Sequence, residues 1–397
     1  MAAETIASIN SAMKIVFTPQ QLKKLLYGQS ALLALIMKKQ FPGGRYLPLP
    51  VQIGNGQGRS RLFAKAQANV TASKFVDFQI TLVDDYDVVN FAGKDMLLAH
   101  GGESSFIDMK TGEITNAIDQ MRRNLSISLF GDTTGKIGEV AAGGISGTTV
   151  TLADVDTIRR IEVGATLDFR DSTGGSAAVT TVTAVNRDAG KFTVASGTGI
   201  AAADSIYIEG DYGISMHGLA SWIPAVAPTS GDSFFAVDRS VDTERLAGRR
   251  FNAAGIPIHE AILEGLRRVG QDYGNPDVVV LPYNKFTDLE KTLMPHCQYD
   301  LTKSADAILG IKSIVISGPN GPVNVIADKD CPSNRAYVLT LDSWKLYHLM
   351  SDIINIDEED GNMILRSASA DSFEARIKSY CELACDSPGK NGVLLLA

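Results

Sequence analysis

Three short patterns in the 397-residue chain carry residue types that could do chemistry. Gly54-Asn-Gly56-Gln-Gly58 has glycines of the sort that bring a backbone close to a pyrophosphate, but their spacing is wrong and no helix is expected after them. Gly135-Lys136 offers the lysine of a phosphate cradle, yet Phe130 stands where the upstream glycine belongs and Ile137 replaces the Ser or Thr that would hold a metal. Gly213-Ile-Ser215-Met-His217 approaches a nucleophile elbow, with histidine in place of the closing glycine and a link instead of a strand-to-helix turn around it. The cysteines, Cys297, Cys331, Cys381 and Cys385, together with His296, lack the two close pairs of a zinc site and read as scattered, reduced, buried thiols. The expectation is therefore no catalytic residue, no metal ligand and no cofactor, and a protein that is not an enzyme.

What has to be positioned is then a set of surfaces. With 45% hydrophobic and 21% charged residues the chain is a folded one, long enough for two or three domains. Its net charge of −8 gives no bulk attraction for a phosphate backbone, so sequence-specific nucleic-acid binding is not expected. The apolar run Ala31-Leu-Leu-Ala-Leu-Ile-Met37 is stopped by Lys38 and Lys39 far short of a bilayer span, and no membrane contact is expected. The opening Met1-Ala-Ala-Glu4 lacks the features of a secretory signal, which points to folding in the cytosol.

Along the chain, Thr18-Pro19 caps a pattern with Leu22, Leu25, Leu26 and Leu33 at helical spacing, read as an amphipathic arm over residues 18 to 40. Pro42-Gly-Gly44, Pro48, Pro50 and the glycines at 54, 56 and 58 then break any helix. Two extended segments flank them: one with Tyr46, Leu47, Leu49 and Val51, the other running from Lys74 to Tyr86 with Phe78, Ile80 and Leu82 alternating. A two-stranded excursion of this length is marginal in water by itself and must lie on something, another subunit being the natural candidate. Residues 104 to 130 give the clearest helix, with Ile107, Ile114, Ile118, Met121, Leu125 and Leu129 on one face.

From 136 to 212 the character is β. Five short strands, near 149–152, 166–169, 178–185, 191–194 and 205–208, suggest a compact barrel or sandwich inserted between flanks of different composition. Beyond it an α/β layer is expected: helices at 258–270 and 282–293, and strands at 278–281, 311–316, 323–327 and 336–341. The tail from Met363 to Leu383 alternates again.

Taken in order, these elements resemble the major capsid subunit of tailed bacteriophages, the HK97-like fold. Asn124-Leu-Ser-Ile-Ser-Leu-Phe-Gly131 is similar to the end of that family's spine helix, and Gly213-Ile-Ser-Met-His-Gly-Leu-Ala220 to the link that rejoins the fold. Pro276-Asp-Val-Val-Val-Leu-Pro-Tyr-Asn-Lys-Phe286 is similar to its axial strand and helix, and Arg376-Ile-Lys-Ser-Tyr-Cys-Glu-Leu-Ala-Cys-Asp-Ser-Pro-Gly-Lys-Asn-Gly392 to its tail. The resemblance implies an α+β fold: an N-terminal arm (1–42), an extended loop (43–90), a peripheral domain with the spine helix (91–135, continued at 213–249), an inserted β-domain (136–212), an axial domain (250–345), and a peripheral return and tail (346–397).

It also implies an icosahedral virion shell built from pentamers and hexamers of this chain in the host cytoplasm. Double-stranded DNA inside would be contacted non-specifically, which an acidic chain permits. The absence of a long N-terminal scaffold segment implies a separate scaffolding protein, with a portal and decoration proteins as further partners. The residues singled out for contacts between copies are Arg45, Arg59, Arg61, Lys65 and Lys74, facing acids such as Asp84, Asp85, Asp87 or the run Asp357-Glu-Glu-Asp360. Gly54, Gly56 and Gly58 are the expected hinge. An encapsulin-like bacterial compartment shares the fold and is the nearest rival. A secreted carbohydrate-binding or hydrolytic β-protein, suggested by 136–212, lacks a signal and paired catalytic carboxylates.

Overall fold

The computed structural model describes residues 30–93, 103–271, 274–293, 314–356, 364–366 and 371–396, with the backbone alone over 103–112. The chain divides into two compact units. One holds Met1–Ser126, Pro228–Leu246 and Thr340–Pro388, the other Ile127–Ala227, Ala247–Leu339 and Gly389–Ala397.

The first unit is organised by the strand Ser372–Cys385, whose apolar residues Ala375, Ile377, Leu383 and Ala384 are buried. It pairs antiparallel with Val83–Ala92 along most of its length, and also with Trp344–His348, Asn355–Ile356 and Leu365–Arg366. Met37–Gln40 joins the edge of this sheet, parallel to Trp344–His348. The arm pattern thus ends early. A short helix, Ala31–Leu35, is capped by the Ser30 hydroxyl, and the chain is extended by Met37 because a sheet edge takes up its backbone hydrogen bonds. Leu22, Leu25 and Leu26 lie outside the described residues.

The helix Glu103–Phe130 runs through Gly112 for 28 residues, about 42 Å at 1.5 Å per residue. Of the expected apolar face Ile114, Ile118, Met121, Leu125 and Leu129 are all buried, and the side chain of Ile107 lies outside the described residues.

In the second unit, residues 138–208 close into a six-stranded barrel rather than a sandwich: Gly138–Ser146, Thr149–Leu152, Lys191–Val194, Ser176–Asn186, Thr166–Arg170 and Ser205–Ile208 pair in a ring. Val150, Leu152, Leu167, Val182 and Ile206 fill it, and Phe169 stacks on Phe192 at 6.3 Å. The closing strand, Gly138–Ser146, is the one that sequence pattern misses. It is rich in alanine and glycine, and its pairing slips between Val140 and Ile145, so it shows no alternation.

A six-stranded sheet forms the rest of this unit, in the order Arg249–Asn252, Gly392–Leu395, Arg335–Leu339, Val278–Leu281, Gly321–Ala327, Ile314–Gly318. Val278–Leu281 lies inside the sheet and is wholly buried, as its unbroken apolar run predicts. The helices Ile258–Gln271 and Tyr283–Leu293 supply Ile262, Leu266, Val269 and Leu289 to the same core.

Barrel and sheet are tied by polar contacts. The Ser333 hydroxyl donates to Asp154 Oδ2 at 2.5 Å, Arg160 Nη2 donates to the Asp330 carbonyl at 3.1 Å, and Arg159 Nε lies 3.8 Å from the buried Asp330 carboxylate.

Candidate functional site

No reaction centre draws attention in the described residues, and the sequence patterns weighed for chemistry have ordinary settings. Ser215 sits in a loop whose amides bond back to Thr133 and Thr134. Cys381 and Cys385 lie four residues apart on one strand, hence about 13 Å apart, and both are buried, as is Cys331 in the other unit. Burial pushes the Cys381 and Cys385 thiols up to about 12. Cys297 lies outside the described residues. Among the described residues no helix is long and apolar enough to cross a membrane.

The feature that asks for a partner is the two-stranded arm. Leu47–Gly54 pairs antiparallel with Lys74–Ile80, from Leu47 opposite Ile80 to Gly54 opposite Lys74, and a short helix, Phe63–Ala68, crowns it. Pro48 and Pro50 lack an N–H, yet both fit because their missing donors would face the arm's open edge, where no ladder bond is lost. The arm is anchored at its root. Phe78 and Ile80 are buried, and Phe78 meets Phe234 edge to face. The Gln79 amide donates to the Phe235 carbonyl at 3.0 Å, and Arg245 Nη1 donates to the Ile53 carbonyl at 2.7 Å.

Beyond the exposed tether from Arg245 to Ile53, its distal half has no such support. Leu62 is 68% exposed, Phe63 78%, Val70 70% and Phe75 62%, and the crown helix buries none of its residues. What shapes this end is local bonding: Thr71 and Gln57 are joined by two hydrogen bonds and Gly56 is bonded to Ser73. Gly56 is required by proximity, since a Cβ there would lie 2.7 Å from the Thr71 carbonyl. Neither Gly54, Gly56 nor Gly58 has positive φ. The left-handed glycines are Gly43 and Gly44 at the root, at +91° and +98°.

Arg59, Arg61, Lys65 and Lys74 cluster on the distal half and are exposed, with Arg45 exposed at the root. Residues 43–76 contain these five cations and no acid, in a chain of net charge −8. The three aspartates named as candidate partners for these cations lie on a different strand, on two faces of it. The run read as one extended segment from 74 to 86 divides at Thr81-Leu82, and Asp84, Asp85 and Asp87 belong to Val83–Ala92, paired with Ser372–Cys385. Alternation exposes Asp84 and half-buries Asp85 and Asp87 on the opposite face, where burial raises the Asp87 carboxyl above its usual value. Asp357-Glu-Glu-Asp360 lies outside the described residues. Sequence reasoning found the cations but missed Leu62, Phe63, Val70 and Phe75. Their signal was apolar residues scattered through a segment of loop composition.

No protein-family model and no curated protein matches the chain. Among solved structures, the capsid asymmetric unit of cyanophage A-1(L) is similar with a TM-score of 0.55, at 12% identity over 92% of each chain. The Mycobacterium phage Ogopogo structure aligns with a TM-score of 0.44, at 10% identity over 93% of this chain and 92% of that one. The holo-SrpI encapsulin complex from Synechococcus elongatus aligns with a TM-score of 0.44, at 8% identity over 100% and 96%. The fold rests on the cyanophage subunit: the chain has the HK97-like fold, a mixed architecture of helices and sheets.

Proposed function

We propose that the chain is a structural shell subunit, the major capsid protein of a tailed phage, which assembles into an icosahedral head around double-stranded DNA. The observation that carries this reading is the arm, whose distal half exposes Leu62, Phe63, Val70 and Phe75 beside four cations. A cluster of that size is a liability on a monomer and is expected where a partner covers it. A neighbouring copy is the economical partner, because the chain outside the arm carries the compensating acidic charge. A contact that is head-to-tail and closes by rotation generates rings, and rings generate a shell whose stability comes from many modest contacts.

In this reading the extended loop, 43–90, overlies a neighbour through its two-stranded part while Val83–Ala92 stays paired with Ser372–Cys385 in its own sheet, and 250–345 meet their copies at five-fold and six-fold centres. The peripheral domain is formed by 91–135, 213–249 and 346–397, except that the final strand, Gly392–Leu395, pairs into the sheet that holds Val278–Leu281. The barrel is an insertion into the minimal fold, and the crown bends at Gly54, Gly56 and Gly58. Scaffolding, portal and decoration proteins complete the set of partners, and the site of assembly is the host cytoplasm.

The test is imaging of the purified chain, alone and with its phage partners, scored for closed particles. Replacing Leu62 and Phe63 by serine should leave the thermal transition of the chain within about 0.5 kcal/mol of wild type, because both are already exposed, and should abolish particles. A doubly substituted chain that closes as readily as wild type overturns the arm's role. Particles holding nuclease-protected DNA support a phage head, and particles holding a protein cargo instead support a bacterial compartment.

A further inference from the structure

The turn that anchors the arm is strained. Ser233–Phe234 and Val237–Asp238 form a tight hairpin in which Phe234 pairs with Val237, so Phe235 and Ala236 make a two-residue loop. Their φ angles are +46° and +65°. Loops of this kind with both central φ positive favour asparagine and glycine, and an aromatic residue there is a true outlier.

Contacts with the arm hold the loop in this state. Gln79 lies opposite Pro48, which has no N–H, so the pair is a non-hydrogen-bonded one and the Gln79 amide points out of the arm, where it reaches the Phe235 carbonyl at 3.0 Å. The Phe234 ring takes Phe78 on one side at 6.2 Å and the Arg239 guanidinium at 4.0 Å. Arg239 is in turn fixed by Asp232 at 2.8 Å. A second tether, Arg245 to the Ile53 carbonyl, is exposed.

We propose that the Phe234–Val237 turn is a strained latch: it fixes the root of the arm on its own subunit, and it opens to let the arm re-angle when a second copy takes the distal half. Strain at Phe235 and Ala236 subtracts from the contacts that hold the arm, so the latch is weaker than the same contacts made by an unstrained loop. The closed state belongs to the single chain. The opening step rests on the shell-subunit reading above.

Hydrogen exchange of the full-length chain tests both halves, read on peptides covering 76–80 and 232–239. Ala236→Gly removes strain at an exposed position, and exchange there should slow about threefold, the left-handed penalty being partly offset by glycine's extra freedom when unfolded. Gln79→Pro removes the tethering amide from outside the two-strand ladder. It should speed exchange of 232–239 about tenfold, the value of one net hydrogen bond, while leaving 47–54 as protected as in wild type. In assembled wild-type particles, 232–239 should exchange faster than in the free chain. Unchanged or faster exchange in Ala236→Gly overturns the strain, and equal protection in free chain and particle overturns the opening. Failure to form particles would instead sink the shell reading, with the free-chain comparison still deciding the latch.

Discussion

Phe78 and Phe234 stand with ring centroids 6.2 Å apart and planes at 76°, one on the arm and the other on the segment that anchors it. They are 156 positions apart in the chain, and their contact is what separates a supported root from an unsupported tip. Truncating Phe78, which is fully buried, should cost about 3–5 kcal/mol through lost transfer and an unfilled cavity. Chemical denaturation of Phe78→Ala against wild type measures it; a loss below about 1 kcal/mol would mean the root is not packed as described.

The cations of the distal arm are predicted to act in assembly and not in folding. Arg59→Glu, Arg61→Glu and Lys65→Glu together change exposed side chains for which no folded-state partner is required, so the melting temperature should stay put. Assembly, followed by light scattering, should fail at low salt, where like charges now face each other. Wild-type assembly rates should fall as salt rises.

The barrel and the sheet it touches should unfold together. Arg160 bridges them from a half-buried position, and the hydroxyl of Ser333 completes the tie. Ser333→Ala should cost about 1 kcal/mol and Arg160→Ala about 1–3 kcal/mol, because buried carbonyls at Ile137 and Asp330 lose a donor. The double variant should show two calorimetric transitions where wild type shows one for this unit.

Three of the thiols should be silent in the native protein. Desolvation holds Cys381 and Cys385 up at about 12 and raises Cys331 well above its usual value, so thiolate is scarce at pH 8. In a Cys297→Ser background, a thiol reagent should titrate none of the three until denaturant is added. Rapid native labelling of Cys381 or Cys385 would show that the strand Ser372–Cys385 opens.

Glu264 gives a pH signature. Hydrogen bonds from Arg267, then Arg268, hold its carboxyl down at about 2, against about 4.3 for a free glutamate. A depressed pKa contributes stability that is full above the unfolded value and is lost as pH falls through the folded one. The melting-temperature gap between wild type and Glu264→Gln should therefore be present at pH 6 and vanish towards pH 2. The gap should be small, since the group is solvent-screened.

Much of the architecture is legible from pattern because burial imposes a period. The face of Glu103–Phe130 follows from its isoleucines and leucines, and the buried run Val278–Leu281 from four consecutive apolar residues. Where burial is weak, pattern fails. Gly138–Ser146 closes the barrel with alanine and glycine, and Met37–Gln40 is a strand only because the edge at Trp344–His348 is there to receive it. Of the candidate surface, the cations were visible as residue types. The exposure of Leu62 and Phe63 was not, because exposure is decided by what does not pack against a residue.

By itself the amino-acid sequence determined the order of the strongly buried elements, their buried faces, the basic character of the arm and the mismatch of its short motifs to the spacings catalysis needs. Each follows from residue type and local period, which act within a few turns or strands. Tertiary structure alone decided where the arm's second strand ends, that the β-region closes into a barrel, and that Phe235 and Ala236 are held in left-handed conformations. These depend on pairing between segments distant in the chain, such as Val83–Ala92 with Ser372–Cys385, and no local preference encodes which distant partner a strand will find.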